Sequence, residues 1–175
     1  MTTPNFIFEE DLRSKDEKID FLRRHSGQLV IMDLTAFEKG YFFKKFPNLI
    51  AATSIHLNPT NKCEVTIKAH HEAVHHFLSS QGLLPVAVAS LEGYFHLPRI
   101  LSTIINEAYY SLEDDIASAD DIDRAMKYGV NYPEGPFAWS KGKESFVVSL
   151  LDNLFDETKS ERYKASRLLR ERSVN

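Results

Sequence analysis

Residues 93–137 constrain this chain more than any other stretch. They read as an apolar helix, a capped second helix and a Pro/Gly turn, an order that only a helical unit accommodates. Ile100, Leu101, Ile104, Ile105, Ala108 and Leu112 recur at helical spacing, which predicts one buried face. Ser118 stands where the second helix needs an N-cap, with Asp121 three residues on as its capping-box partner. That helix is predicted to bury Ile122, Ala125 and Met126 and to stop at Gly129, a residue able to take the left-handed conformation. Tyr132-Pro133-Glu134-Gly135-Pro136 predicts a tight turn, because proline fixes φ and Gly135 permits a positive one.

Upstream, the period changes. Short apolar runs at Asn5–Glu9, Leu29–Met32, Leu49–Leu57, Cys63–Ile67 and Pro85–Ala89 read as strands. Between them, 15–24 reads as a helix with Ile19 and Leu22 inward. Ala36–Lys45 is an aromatic-rich helical segment stopped before Pro47, and Ala69–Gln81 is a helix closed by Gly82. Asn58-Pro59 ends the third strand as a turn. Strands alternating with helices predict an α/β sheet, parallel at least in part. From Gly93 the pattern is helical throughout, with late helices near 143–157 and 160–172. The expected fold is therefore a half-Rossmann-like α/β layer of about five strands, residues 1–92, followed by an all-α domain, residues 93–175.

Charge and cysteine content narrow the function classes. A net charge of −4 argues against a nucleic-acid binder. The basic residues between Arg162 and Arg172 are interleaved with Glu157, Glu161 and Glu171, as on a solvated helix face. No apolar run reaches the length of a bilayer span and no basic-apolar leader opens the chain, so the expectation is a cytoplasmic protein with no membrane partner. Cys63 is the one cysteine and reads as a small buried apolar residue.

The ordered residues Gly93-Tyr94, Arg99, Asn106-Glu107-Ala108, Asp121-Ile122-Asp123, Ala125-Met126, Gly129 and Tyr132-Pro133-Glu134-Gly135-Pro136-Phe137 resemble the C-terminal domain of the 3-hydroxyacyl-CoA dehydrogenase family. The resemblance runs backwards as well. Leu29–Met32 with Asp33-Leu34-Thr35-Ala36 is similar to the family's Asn-Thr-Ser strand and turn. Ile55-His56-Leu57-Asn58-Pro59 is similar to its histidine motif, and Glu64 falls at its glutamate. Arg162-Tyr163, Leu168 and Leu169 resemble its closing helix.

What the resemblance implies is oxidation of a 3-hydroxyacyl-CoA to the 3-ketoacyl-CoA, with hydride passed to NAD, in acyl-CoA or fatty-acid metabolism. His56 would be the general base, Glu64 the carboxylate that orients it, Thr35 the hydroxyl beside them and Asn58 a substrate contact. Two family positions are altered: the serine falls on Ala36 and the asparagine on Pro98, which offers no side-chain hydrogen bond. Gly27, Gly40, Gly82 and Gly93 stand singly, with no Gly-x-Gly-x-x-Gly turn to seat a pyrophosphate. The chain thus reads as the second half of a nucleotide-binding domain, with no cofactor-binding residues of its own. The expected protein is a divergent relative, either non-catalytic, keeping the helical domain for binding or dimerisation, or dependent on a partner; the implied partners are an acyl-CoA ligand and either a second copy or a protein that carries the missing half.

His71-Glu72-Ala73-Val74-His75 matches a second pattern, His-Glu-x-x-His, which on a helix sets two imidazoles one turn apart beside a carboxylate. The alternative function is thus a zinc-dependent hydrolase. Leu78 stands where the extended form of that motif needs glycine, and Val74, Phe77 and Leu78 put the buried face beside the two histidines. A solvated, histidine-rich helix with no metal is the simpler reading.

Overall fold

In the computed structural model the structure describes residues 4–58 and 60–174. They fall into two units, one running to His96 and the other starting at Leu97.

The first unit is β1 (Phe6–Glu9), α1 (Lys15–Arg24), β2 (Leu29–Asp33), α2 (Lys39–Lys45), β3 (Leu49–Ser54), β4 (Lys62–Ile67), α3 (His71–Ser80) and β5 (Leu84–Ala87). The strands lie in chain order in one sheet. β1, β2 and β3 are parallel, β4 runs antiparallel to β3, and β5 is parallel to β4. That single reversal brings the C-terminal ends of β2 and β3 to the same edge as the start of β4. In register, Asp33 lies opposite Thr53, and Ser54 opposite Glu64. One sheet face packs Ile31, Ala51 and Val65 on Val74 and Leu78 of α3. Each buried valine, leucine or isoleucine side chain there contributes about 2 kcal/mol.

α1 begins with a capping box between Ser14 and Glu17, and buries Ile19 and Leu22 as expected. It also buries Lys18, whose Nζ lies 2.6 Å from Glu9 Oε2 at the end of β1. Arg13 Nε donates to the other oxygen of Glu9 at 2.9 Å. The 36–45 segment is helical only from Lys39, where the Glu38 carboxylate accepts from the amides of Gly40 and Tyr41. β3 stops at Ser54, three residues before its expected end at Leu57. There the Ile55 amide turns to the Asp33 carboxylate at 2.9 Å, and Leu57 takes a positive φ of 51°. Of the predicted Asn58-Pro59 turn, Pro59 lies outside the described residues. α3 ends at Gly82 with φ +80°, as a glycine stop should.

The second unit holds most of α4 (His96–Glu113), then α5 (Ala119–Gly129), α6 (Pro136–Ser140), α7 (Glu144–Thr158), a 3-10 turn (Glu161–Tyr163) and α8 (Arg167–Ser173). Three expectations are corrected here. The buried face of α4 is rotated: Leu101, Ile105 and Ala108 are inside, joined by Ser102, Asn106 and Tyr109, while Ile100 is 53% exposed. Asn106 explains the rotation, because its amide donates to Lys164 O at 2.8 Å and accepts from Ser166 N at 2.9 Å. α5 has no fully buried residue: Ile122 and Met126 are half-buried and Ala125 is exposed. Its end is turned by Asn131, at φ 60°, rather than by Gly129.

Gly135 is needed for room, not for positive φ. Its φ is −88°, and a Cβ there would meet Asp123 Cγ at 2.2 Å and Asp123 Cα at 2.4 Å. The Asp123 carboxylate, brought this close, accepts from Phe137 N and Ala138 N and so caps α6. The last predicted helix is broken in two. A 3-10 turn covers Glu161–Tyr163, and α8 starts afresh after Ser166, which caps Leu169 N.

Candidate active site

Asp33, Thr35, Thr53, Ser54, His56 and Glu64 lie at the sheet edge where β2 and β3 end and β4 begins. Asp33 is buried, and its carboxylate is held by three donors: Thr35 N at 3.2 Å, Thr35 Oγ1 at 2.7 Å and Ile55 N at 2.9 Å. Thr35 Oγ1 in turn accepts from His56 N at 3.4 Å. The structure therefore links Thr35 to the backbone of His56 through one hydroxyl. Thr53 Oγ1 and Ser54 Oγ, at the end of β3, are buried with no hydrogen-bond partner among the described residues.

The His56 ring lies 2.7 Å, at Nε2, from the backbone carbonyl of Glu10, and 3.9 Å from Asp33 Oδ1. A carbonyl only accepts, so Nε2 donates in that bond. Glu64 Oε1 lies 3.2 Å from His96 Nδ1. Asn58 Oδ1 accepts from both Thr60 N and Thr60 Oγ1 at 3.0 Å, which makes a local turn. Ala36 and Pro98, at the altered family positions, are both buried.

Lys39 is fully buried against this edge. Its Nζ donates to the carbonyls of Glu92 (3.1 Å) and Gly93 (2.8 Å) and stands 4.6 Å from the centre of the Phe95 ring. Burial lowers its pKa, against the opposing pull of the Glu38 and Glu64 charges. Glu38 completes the clamp by accepting from Gly93 N at 2.7 Å. Sequence reading passed over Asp33, Glu38 and Lys39. Neither the aspartate nor the lysine is marked by its spacing, because only the fold shows them buried.

Burial, and secondarily the Asp33 charge, pushes the Cys63 thiol up to about 11. The inert, buried role expected for this residue is what the structure shows. His71 and His75 are exposed on α3, and among the described residues no three His, Cys, Asp or Glu side chains are grouped to hold a metal. In the second unit a hollow of about 360 Å³ lies between Asp123, Lys127, Tyr128 and Glu134, with neither imidazole nor thiol in its lining.

The amides at the start of α1 are taken by Ser14, in a box with Glu17, and those at the start of α2 by the Glu38 carboxylate. Those two helix starts thus carry their own acceptors, whereas α3 starts with no side-chain cap.

Comparison with known proteins agrees with this architecture. Residues 95–173 match the family described as 3-hydroxyacyl-CoA dehydrogenase, C-terminal domain. Similar curated proteins include the 3-hydroxyadipyl-CoA dehydrogenase of Escherichia coli K12, 40% identical over 101 residues, 57% of this chain and 21% of that protein. Another is the 3-hydroxybutyryl-CoA dehydrogenase of Clostridioides difficile, 35% identical over 108 residues, 61% of this chain and 38% of that protein. Among solved structures, the 3-hydroxybutyryl-CoA dehydrogenase of Escherichia coli K12 superposes with a TM-score of 0.70 at 27% identity, over 82% of this chain and 31% of that one. The (S)-3-hydroxybutyryl-CoA dehydrogenase of Ralstonia eutropha shares the fold, with a TM-score of 0.74 at 23% identity over 95% of this chain and 64% of that one. This chain spans less than two fifths of the length of the curated relatives it matches.

Proposed function

We propose that this chain, a member of the 3-hydroxyacyl-CoA dehydrogenase family through the C-terminal domain at residues 95–173, binds a 3-hydroxyacyl-CoA or 3-ketoacyl-CoA and works with a nucleotide site supplied from outside these 175 residues. The observation that carries the reading is the sheet edge bearing Thr35, His56 and Glu64, immediately ahead of the family's helical domain. Those side chains offer imidazole, hydroxyl and carboxylate groups, the set that a proton transfer at a 3-oxygen requires. NAD, when bound by the completed protein, supplies the hydride chemistry. The outside half is either another segment of the same protein or a partner.

The helical unit serves this reading as the contact surface of a dimer. α5 carries no fully buried residue, and Ile116, Tyr128 and Val130 are all more than half exposed around it. A second copy covering that surface would remove apolar area from water. We take the protein to be cytoplasmic and to act in fatty-acid or related acyl-CoA metabolism.

The test is direct. The purified chain, mixed with acetoacetyl-CoA and NADH, is expected to bind the thioester while leaving NADH unconsumed and its fluorescence unchanged. Steady NADH oxidation by the chain alone would refute the dependence on an outside nucleotide site. A thioester that does not bind would refute the acyl-CoA reading itself.

A further inference from the structure

Glu64 holds the imidazole of His96. Its Nδ1 lies 3.2 Å from Glu64 Oε1. An ionised carboxylate only accepts, so Nδ1 carries the proton, and in the neutral ring the lone pair is on Nε2. The Glu64 side chain is 14% exposed and that of His96 61%. The carboxylate is therefore shielded while the imidazole reaches solvent. His56 has the opposite tautomer: its Nε2 donates to the Glu10 carbonyl, so in the neutral ring the lone pair is on Nδ1 and the N–H is held by a carbonyl rather than a carboxylate. A carboxylate-oriented base needs N–H on the acid's side and a free nitrogen on the other. His96 meets that requirement.

The position of His96 is built by buried groups. Lys39 N donates to Gly93 O at 3.1 Å, Lys39 Nζ to Glu92 O and Gly93 O, and Gly93 N to Glu38 Oε1. Phe95, fully buried, lies under the lysine ammonium. Residues 92–95 are thus tied to α2, and the next residue is His96, set opposite Glu64 on β4.

We propose that His96, rather than His56, presents its Nε2 to the 3-oxygen of the acyl thioester, with Glu64 as the residue that positions it. This rests on the acyl-CoA reading above. A neutral Nε2 accepts a hydrogen bond from a 3-hydroxyl, and a thioester without that hydroxyl offers it nothing.

Calorimetric titration of the chain with 3-hydroxybutyryl-CoA and with butyryl-CoA isolates that one hydroxyl. The expected result is a preference for the hydroxylated thioester of about fivefold to tenfold, lost in His96→Ala. Butyryl-CoA affinity should be the same in wild type and His96→Ala, which a merely structural role would not give. Long-range 1H–15N spectra of the histidine rings should show His96 protonated at Nδ1 and His56 at Nε2, with the His96 preference lost in Glu64→Ala. A preference that outlasts His96→Ala, or one lost in His56→Ala alone, overturns the assignment, as does a His96 ring protonated at Nε2. If neither thioester binds the wild-type chain, the acyl-CoA reading fails and takes this inference with it. That outcome is recognisable because it involves no variant.

Discussion

The two units keep their polar residues in different ways. In the first, Glu9, Lys18, Asp33 and Lys39 are buried charges, each tied to an ion-pair partner or to backbone groups. In the second, the buried polar residues among those described are Ser102, Asn106, Ser140 and Ser166, all neutral. Burying a charge costs several kcal/mol unless its partners are in place. Neutral amides and hydroxyls cost less and are satisfied by a backbone group or two. Asn106 and Ser166 show the second case, since both serve to tie off helix α8 and the segment ahead of it. The difference separates scaffolding from chemistry. The helical unit can be read as architecture, whereas the α/β unit carries charges that packing alone does not need.

The sharpest way to break that comparison is to remove one buried charge. Lys18→Met leaves Glu9 with Arg13 alone in a site that both Lys18 and Glu9 now share at 2.6 Å. The expected loss of stability is about 4 kcal/mol, since the partly exposed Arg13 offsets only part of the charge left on buried Glu9. Urea denaturation measures it. A loss below about 1 kcal/mol would mean that Glu9 relaxes to solvent and that the first unit does not depend on its interior charges.

The helical unit is tested by crowding rather than by charge. Gly135→Ala drives a methyl into Asp123, whose backbone cannot retreat without moving α5. The expected cost is about 3 kcal/mol, at the upper end for overpacking. The same change frees the amides of Phe137 and Ala138 from their acceptor. Thermal unfolding followed by circular dichroism reads the loss. A neutral result would show that the α5–α6 turn is loose.

The order of elements was legible because hydrophobic period and turn chemistry are local. Every strand run and the capping serines Ser14, Ser118 and Ser166 can be found by counting residues, and the pattern around Ser118 marks its cap from the sequence alone. What was not legible depended on neighbours distant in sequence. Nothing in the spacing of α4 says that Asn106 faces inward, because its partners lie 58 and 60 residues away. Gly135 looked like a positive-φ glycine since that is the commoner use; its true constraint is a contact with Asp123, twelve positions back. At the sheet edge, His56, Glu64 and Thr35 were reachable through resemblance. The link from Glu64 to His96, 32 residues on, required the register of β4 and the clamp at Lys39.

The Cys63 thiol adds a pH axis that belongs to the first unit alone. Its pKa, ordinarily 9.0, stands at about 11 in the fold. The folded state therefore binds more protons than the unfolded state between those values, and stability must fall as pH rises through that window. Cys63→Ala lacks the group, so the stability advantage of wild type over this variant should shrink by about 2 kcal/mol between pH 9 and 11. Denaturation series at the two pH values check the sign. An advantage that grows with pH would place the thiolate, not the thiol, in the fold.

The smallest change concerns the start of α5. Ser118 Oγ accepts from Asp121 N at 3.2 Å and donates to the Asp121 carboxylate at 2.7 Å. Removing an N-cap of this kind costs about 1 kcal/mol. α5 has no fully buried residue to hold it, so the effect of Ser118→Ala should be local as well as small. Amide hydrogen exchange is the suitable measurement. Protection should fall in 119–129 while the amides of α7 keep theirs. Equal loss in both helices would mean that α5 unfolds only with the rest of its unit. The cap would then contribute to global stability, and the helical unit would be more cooperative than its exposed second helix suggests.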